Sequence, residues 1–100
     1  MDWNKKLRGK YVVVRGDVGV YAGTLIDVEG KKVVLGDCMC LWKMSGYASL
    51  NQLAEEGVKC PEDSKFSIEV PEMYFTNIIQ IIPVSEKAKA NLQAVKKWKI

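Results

Sequence analysis

The first third of the chain alternates apolar and polar positions with the two-residue period of β-strands. A short apolar run, Lys10–Arg15, is followed by a longer one, Val18–Val28, whose even positions are mostly apolar. We therefore expect the even positions, Ile26 among them, to face the core. Gly19 and Gly23 interrupt the longer run and predict a sharp bend or a bulge in this second strand.

A tight turn at Glu29-Gly30 leads into a third strand. Lys32–Leu35 forms its first part, and Cys38–Trp42 resumes the extended apolar pattern after an interruption at Gly36-Asp37. The turn joins neighbouring strands, so we expect the second and third strands to pair antiparallel.

The pattern changes from strand to helix after the third strand. Ser49 and Gln52 have the spacing of a capping box, in which the Ser hydroxyl accepts from the Gln amide and the Gln side chain reaches back. An apolar face follows, and Gly57 is a natural C-terminal stop. We predict a short helix over Leu50–Glu56.

Two further strands and a second helix complete the chain. Phe66–Val70 alternates, and Met73–Ile82 is strongly apolar and β-branched, which indicates a buried strand. Pro83 ends that strand, and Ser85 caps a helix. The apolar stripe of this helix consists of Ala88, Leu92 and Val95.

The order of these elements predicts a mainly β (α+β) fold. About five short antiparallel strands, one of them strongly bent, favour a small, partly open barrel of the SH3-like or Sm-like type. The short helix is inserted after the third strand, and the second helix lies at the C-terminus. At 100 residues the chain has room for one domain, residues 1–100.

The net charge of +3 is unevenly distributed. Residues 1–15 and residues 85–100 each hold five basic side chains and one acidic side chain, so the middle of the chain is acidic. Basic ends on an acidic body favour a phosphate-bearing partner. The alternative is that these lysines form solvated faces, including a helix C-terminus that suits the helix dipole.

The chemistry-bearing residue types argue against an enzyme. The chain has no histidine, the commonest general base and metal ligand. Cys38, Cys40 and Cys60, with Asp37, offer four zinc ligands, but they lack the Cys-x-x-Cys spacing of structural zinc sites. We therefore expect no catalytic residue, no metal and no cofactor. An odd cysteine count and the absence of an apolar leader or a membrane-length run predict a cytoplasmic protein.

One stretch, Leu41–Ala54, concentrates aromatic, basic and hydroxyl side chains just before the predicted helix. Aromatic faces stack on bases and amides at a helix start attract anions, so this stretch indicates a pocket for a nucleotide-like ligand or a hot spot for a protein. The candidate ligand-binding residues are Trp42, Lys43, Ser45, Gly46, Tyr47, Ser49 and Gln52. The alternative is that Trp42 and Tyr47 only anchor the insertion; both would then be buried, whereas a ligand site needs one of them exposed.

The same stretch resembles the motif LWYWSGAASLSQLA of a family of small uncharacterised phage and prophage proteins. The matching residues are Leu41, Trp42, Ser45, Gly46, Ala48, Ser49, Leu50, Gln52, Leu53 and Ala54, with Val20–Leu25, Gly57-Val58, Pro61, Ile81–Pro83, Glu86–Lys89 and Trp98 elsewhere. This chain has Met39 and Cys40 where the family tends to have paired arginines, and Met44 where it tends to have a second tryptophan. The resemblance implies a mobile-element origin and a host-facing role.

Two functions are compatible with these features. The first is a small phage-derived binding module that acts on a host component in the host cytoplasm, by binding a defence protein or sequestering a nucleotide signal. The second is a nucleic-acid-binding barrel that uses the basic N- and C-terminal segments. In either case we expect no membrane association, and we expect a homo-oligomer, because strand edges of a small barrel can pair between copies.

Overall fold

The computed structural model describes all 100 residues as one antiparallel sheet with three short helices. The helices are α1 (Trp3–Leu7), α2 (Leu50–Glu56) and α3 (Glu86–Ala94), and a 3₁₀ turn covers Pro61–Asp63. The strands are β1 (Tyr11–Gly16), β2 (Gly19–Glu29), β3 (Lys32–Lys43), β4 (Lys65–Phe66), β5 (Val70–Phe75) and β6 (Ile78–Pro83). None of the helices is long and apolar enough to cross a membrane.

The strands follow the order β4-β3-β2-β1-β6, and β5 also pairs with β3. β4 and β5 lie along different parts of the same edge of β3, because Leu41 pairs with Phe66 while Val33–Cys38 pairs with β5. The sheet remains open. The predicted mainly β class is therefore confirmed, as are the helix after the third strand and the C-terminal helix.

Two irregularities in the β2–β3 pairing change which side chains of β2 are buried. Between Ala22 and Thr24 the extra residue lies in β3, where Asp37 has a positive φ of 45°; between Leu25 and Asp27 the extra residue is Ile26. The second bulge puts Leu25 on the same face as Val28, and both are buried.

The predicted burial of even positions is correct for Ala22 and Val28 in β2. It is wrong for Ile26, which is 37% exposed, and for Val18, which lies before β2 and is 64% exposed. At Gly23, where the sequence predicts a bend or a bulge, the pairing shifts register and the two strands come into close contact. A Cβ atom on Gly23 would lie 2.8 Å from the carbonyl oxygen of Gly36, so only glycine allows β3 to approach so closely.

The long buried strand predicted over Met73–Ile82 is wrong. The chain breaks at Thr76-Asn77 into β5, which pairs with β3, and β6, which pairs with β1. β6 is largely at the surface, and Ile79 is 61% exposed. The strand predicted over Phe66–Val70 is likewise wrong, because only Lys65–Phe66 forms β4.

Helix α1 was not predicted, although its start carries a capping signal. Asp2 accepts a hydrogen bond from the N–H of Lys5 at 3.2 Å, which is the N-cap arrangement. Asn4 then fixes the helix to the sheet, because its Oδ1 accepts from the N–H of Val28 at 2.9 Å and its amide donates to the carbonyl of Val28.

The buried side chains form two clusters on opposite faces of β1. The strand core takes its buried residues from strands, with Leu7 of α1 packed against it, and contains Val12, Val14, Leu25, Val28, Val33, Leu35, Cys38, Phe75 and Ile78. The helix core is covered by α2, α3 and β4 and contains Tyr11, Val13, Ala22, Met39, Leu41, Leu53, Val58, Phe66, Leu92 and Val95.

Candidate functional site

Three chain segments meet beside the helix core and form the surface above it. β4 pairs with the end of β3, which places Leu41 opposite Phe66. The segment after α3 runs along β4: a parallel bridge joins Phe66 to Lys97, and the N–H of Trp98 donates to the carbonyl oxygen of Phe66 at 2.8 Å. Residues distant in sequence therefore share one surface.

This arrangement stacks two exposed tryptophans on each other. Leu41 points into the helix core, and strand alternation turns its neighbour Trp42 towards solvent. The rings of Trp42 and Trp98 have centroids 5.1 Å apart and planes inclined by 15°. Trp42 is nevertheless 62% exposed and Trp98 49% exposed. The solvent exposure that a ligand site at Trp42 requires is therefore present.

Lysines surround the stacked pair. The ammonium nitrogen of Lys65 lies 5.6 Å from the ring centroid of Trp42 and 5.1 Å from that of Trp98, a cation–π arrangement with both rings. Lys43 is exposed and pairs with Lys65 across β3 and β4. A lysine ammonium thus lies over both aromatic rings.

A groove of about 650 Å³ continues from Trp98 along the C-terminal segment. Its basic lining residues are Lys65, Lys96, Lys97 and Lys99, and Glu62 is its single acidic one. None of these lysines forms an ion pair with a carboxylate. We call this region, formed by Trp42, Trp98 and Lys43, Lys65, Lys96 and Lys99, the tryptophan surface. It carries net positive charge beside exposed aromatic rings.

Ser49 and Gln52, two of the predicted site residues, cap the N-terminus of α2. Ser49 Oγ accepts from the N–H of Gln52 at 3.2 Å, and Gln52 Oε1 accepts from the N–H of Ala48 at 2.7 Å. The capping box is therefore present, with Gln52 reaching one residue further back than the pattern indicates. Gln52 also donates to Glu56, and the hydrogen bonds of Glu56 to Lys59 and Gln52 lower the pKa of that carboxyl.

Ser45 and Gly46 connect the start of the segment between β3 and β4 to its end, near Cys60 and Ser64. The N–H of Ser45 donates to Ser64 Oγ at 3.1 Å, and its carbonyl accepts from the N–H of Cys60 at 3.2 Å. Gly46 has φ +83°, and a Cβ atom there would lie 2.7 Å from the backbone nitrogen of Cys60. Tyr47 is half-buried and packs against the helix core.

Of the predicted residues, Trp42 and Lys43 thus lie on the tryptophan surface. The 41–54 motif did not indicate Trp98 or Lys65, which complete the tryptophan surface. The available signal was the lysine-rich C-terminal segment with a tryptophan inside it.

The four zinc ligands considered from the sequence do not come together. Cys38 is buried in the strand core with its sulfur 3.9 Å from that of Met73, and burial raises the pKa of the Cys38 thiol to about 12. Cys40 is half-buried beside Tyr21, whose pKa is raised by burial and then by Cys40. Cys60 instead approaches Glu62 and Asp63, with ligand atoms within 4.8 Å of one another.

Comparison with known proteins identifies a family but no activity. A family described as "Domain of unknown function (DUF6948)" matches residues 9–92. No curated protein matches the chain. The match includes Trp42, Lys43 and Lys65 and stops before Trp98, so the tryptophan surface combines the family domain with the segment that follows it.

Proposed function

Because the chain belongs to the DUF6948 family, a domain of unknown function, we propose its function from its own surface. The protein is a binding module rather than an enzyme, and its tryptophan surface binds single-stranded nucleic acid. The observation that carries this proposal is the exposed, mutually stacked pair of Trp42 and Trp98 with Lys65 beside both rings.

The exposed faces of two stacked indole rings can continue the stack with the bases of a bound strand. Trp42 and Trp98 each use part of one face on the other, and their exposure leaves further ring surface for a ligand. Aromatic side chains in single-strand-binding proteins stack on successive bases, an interaction that tolerates any sequence. Only unpaired bases present their faces in this way, so a single strand fits this surface better than a duplex.

The surrounding charge suits a phosphate backbone. Lys96 and Lys99 are exposed along the groove beside Trp98, whereas the ammonium of Lys97 between them donates to the sulfur of Met39 at 2.9 Å. A lysine ammonium binds phosphate as a point charge, and neutralised phosphates release counterions. Basic side chains next to aromatic rings are the combination that tracks a strand and stacks its bases.

The buried ionisable groups support binding rather than catalysis. Burial raises the pKa of Cys38 to about 12 and also raises the pKa of Tyr11, which keeps both groups protonated and unreactive near neutral pH. Catalytic acids and nucleophiles instead have pKa values tuned towards the working pH.

The resemblance to phage and prophage proteins supports a finer proposal about origin. We propose a phage or prophage origin with the host cytoplasm as the place of action, and host nucleic acid as the ligand. We also propose an SH3-like or Sm-like class for the bent sheet, supported by the bulged β2 and by the pairing of β5 and β6 with different strands. Self-association is likewise a proposal, and the position of β6 at the end of the sheet supports it.

The binding proposal is tested with a labelled oligo(dT) about ten nucleotides long. Fluorescence anisotropy at low salt should show binding. Replacing Trp42 by Ala should weaken it about 5- to 150-fold, which corresponds to about 1–3 kcal/mol for one stacked base. Trp3→Ala is the matched control, because Trp3 is 46% exposed but lies on α1 away from β4 and the C-terminal segment.

The electrostatic part is tested by the dependence of affinity on salt. Lys65→Gln should reduce the slope of log K against log salt by about 0.7, the contribution of one phosphate contact on a single strand. A duplex of the same length should bind more weakly. Three results would contradict the proposal: no binding at low salt, equal effects of the Trp42 and Trp3 variants, or a mononucleotide that binds as tightly as the strand.

A further inference from the structure

A groove of about 500 Å³ separates helix α1 from β6, the last strand of the sheet. Trp3 and Leu7 of α1 form one wall, and Ile79, Ile81 and Pro83 of β6 form the other. Leu7 and Ile81 also pack against the strand core, so the groove borders the apolar interior. Its volume lies within the range of small-molecule pockets, about 300–1,000 Å³.

Hydrogen bonds to the backbone hold both walls in place. On the α1 side, Asn4 Oδ1 accepts from the N–H of Val28 in β2 at 2.9 Å. On the β6 side, the N–H of Ile78 donates to the carbonyl oxygen of Lys31, in the turn between β2 and β3, at 2.9 Å. The groove is therefore formed before any ligand binds, as is usual for small-molecule sites.

The groove combines apolar walls with unpaired positive charge. Lys6 of α1 and Lys31 are its two charged lining residues, and none of its lining residues is acidic. Both lysines are exposed, and neither forms an ion pair with a carboxylate. A ligand that matches both features has an apolar body and a negatively charged group.

We propose that this groove binds an aliphatic carboxylate of the fatty-acid class, with its chain along β6 and its carboxylate beside Lys6 and Lys31. The β6 wall extends from Ile79 to Pro83, a distance of about 13 Å along a strand, which suits an elongated chain better than a compact ring. This site lies apart from the tryptophan surface and is independent of the binding of nucleic acid there.

A protein strand or a second copy fits the groove less well. The pairing of β6 with β1 shifts register at Ile79, and the N–H of Ile78 is already bonded to Lys31. An added strand would therefore meet no regular ladder of free backbone groups. A twofold contact across the groove would bring Lys6 and Lys31 of two copies together, which their like charges oppose.

Calorimetric titration with octanoate and decanoate, both below their micelle concentrations, tests the class of ligand. Each methylene that enters the groove should tighten binding about fourfold, so decanoate should bind up to about 15-fold more tightly than octanoate. The double variant Lys6→Gln, Lys31→Gln should weaken decanoate binding about 3- to 10-fold, the scale of one or two exposed ion pairs, and should leave the binding of neutral octanol unchanged. Lys5→Gln is the matched control, because Lys5 is exposed on the same helix but does not line the groove.

Substitutions on the two walls locate the site. Trp3→Ala on α1 and Ile79→Ser on β6 should each weaken decanoate binding at least threefold, because both side chains line the groove. Trp42→Ala should leave decanoate binding unchanged. The two wall variants should in turn bind oligo(dT) like the wild type, so the two sites succeed or fail separately.

Four results would overturn the proposal: no binding of decanoate, octanoate binding as tightly as decanoate, equal weakening by the Lys5 variant and the double lysine variant, or equal effects of the Trp3 and Trp42 variants. Two further results would do the same by identifying another occupant. Association with phosphatidylglycerol vesicles without binding of free decanoate would indicate a membrane surface, and a dimer that Ile79→Ser dissociates would indicate a second copy.

Discussion

The two cores on either side of β1 are built by different means. The strand core takes its buried side chains from β1, β2, β3, β5 and β6, and it consists of apolar residues and one thiol. The helix core joins β1, β2 and β3 to α2, β4 and α3, and it includes Tyr11, whose hydroxyl is buried without a hydrogen-bond partner. The helix core thus depends on helices as well as strands, and it contains a buried polar group without a hydrogen bond.

The difference determines which core supports the proposed ligand surface. Leu41 and Phe66 belong to the helix core, and their neighbours in sequence or in space are Trp42, Lys65 and Trp98. No residue of the strand core is adjacent to either tryptophan in sequence. We infer that damage to the helix core affects both stability and binding, whereas damage to the strand core affects stability alone.

The largest expected effect is that of Phe66→Ala. Phe66 is completely buried, so its truncation should lower the free energy of unfolding by about 3–5 kcal/mol and should weaken oligonucleotide binding through displacement of Trp98. Leu25→Ala in the strand core should cost about 2–5 kcal/mol with binding retained by the folded protein. Urea unfolding and anisotropy measure the two quantities. Equal loss of binding in both variants would contradict the division between the cores.

A smaller effect is expected at Asn91, which ties α3 to the end of the insertion. Its Oδ1 accepts from the N–H of Val58 at 2.8 Å and its Nδ2 donates to the carbonyl of Val58 at 3.0 Å. Asn91→Ala leaves both backbone groups unpaired and should lower the free energy of unfolding by about 1–3 kcal/mol. Asn51→Ala, at an exposed position of α2, should have little effect in the same urea experiment.

The strand core should respond to alkaline pH through Cys38. The unfolded chain ionises this thiol from its ordinary pKa of 9.0, whereas burial raises the pKa to about 12 in the folded protein. The unfolded state therefore holds fewer protons above pH 9, and the free energy of unfolding should fall as pH rises from 9 towards 12, by at most about 1.4 kcal/mol per pH unit. Urea unfolding of the wild type and of Cys38→Ala should differ in this slope. Parallel slopes would show that Cys38 is not the source.

The smallest effect is expected for Tyr11→Phe in the helix core. The substitution removes a buried hydroxyl that has no hydrogen-bond partner and leaves the ring in place. The free energy of unfolding should stay within about 1 kcal/mol of the wild type or rise, since no hydrogen bond is lost. A loss of more than that amount would mean that the hydroxyl has a partner in solution.

Local signals predicted those elements that depend on neighbouring residues. Helix α2 begins and ends at the predicted residues because Ser49 and Gly57 determine its ends within one short segment. Burial in β2 was mispredicted because the bulge at Ile26 arises from the pairing with β3. The break at Thr76-Asn77 has the same origin, since its two sides pair with different strands.

The candidate site was predictable only in part for a related reason. Trp42 stands out within its own motif, and alternation with Leu41 places it outside the core. Its partner Trp98 reaches it only because the C-terminal segment bonds to Phe66 on β4. Such a contact between distant segments leaves no periodic pattern in the sequence. The sequence therefore indicated a basic C-terminal segment with a tryptophan, but it did not indicate that this tryptophan contacts Trp42.

The double burial of β1 also bears on the kinetics of opening. Tyr11, Val12, Val13 and Val14 are all buried, two of them on each face, and both edges of the strand are paired. Amide hydrogens in such a strand reach solvent only when both layers separate, so those of Val12 and Val13 should exchange with deuterium at the rate of global unfolding. Exchange at the N-terminal and C-terminal segments should be faster by orders of magnitude, which makes β1 the last part of the chain to open.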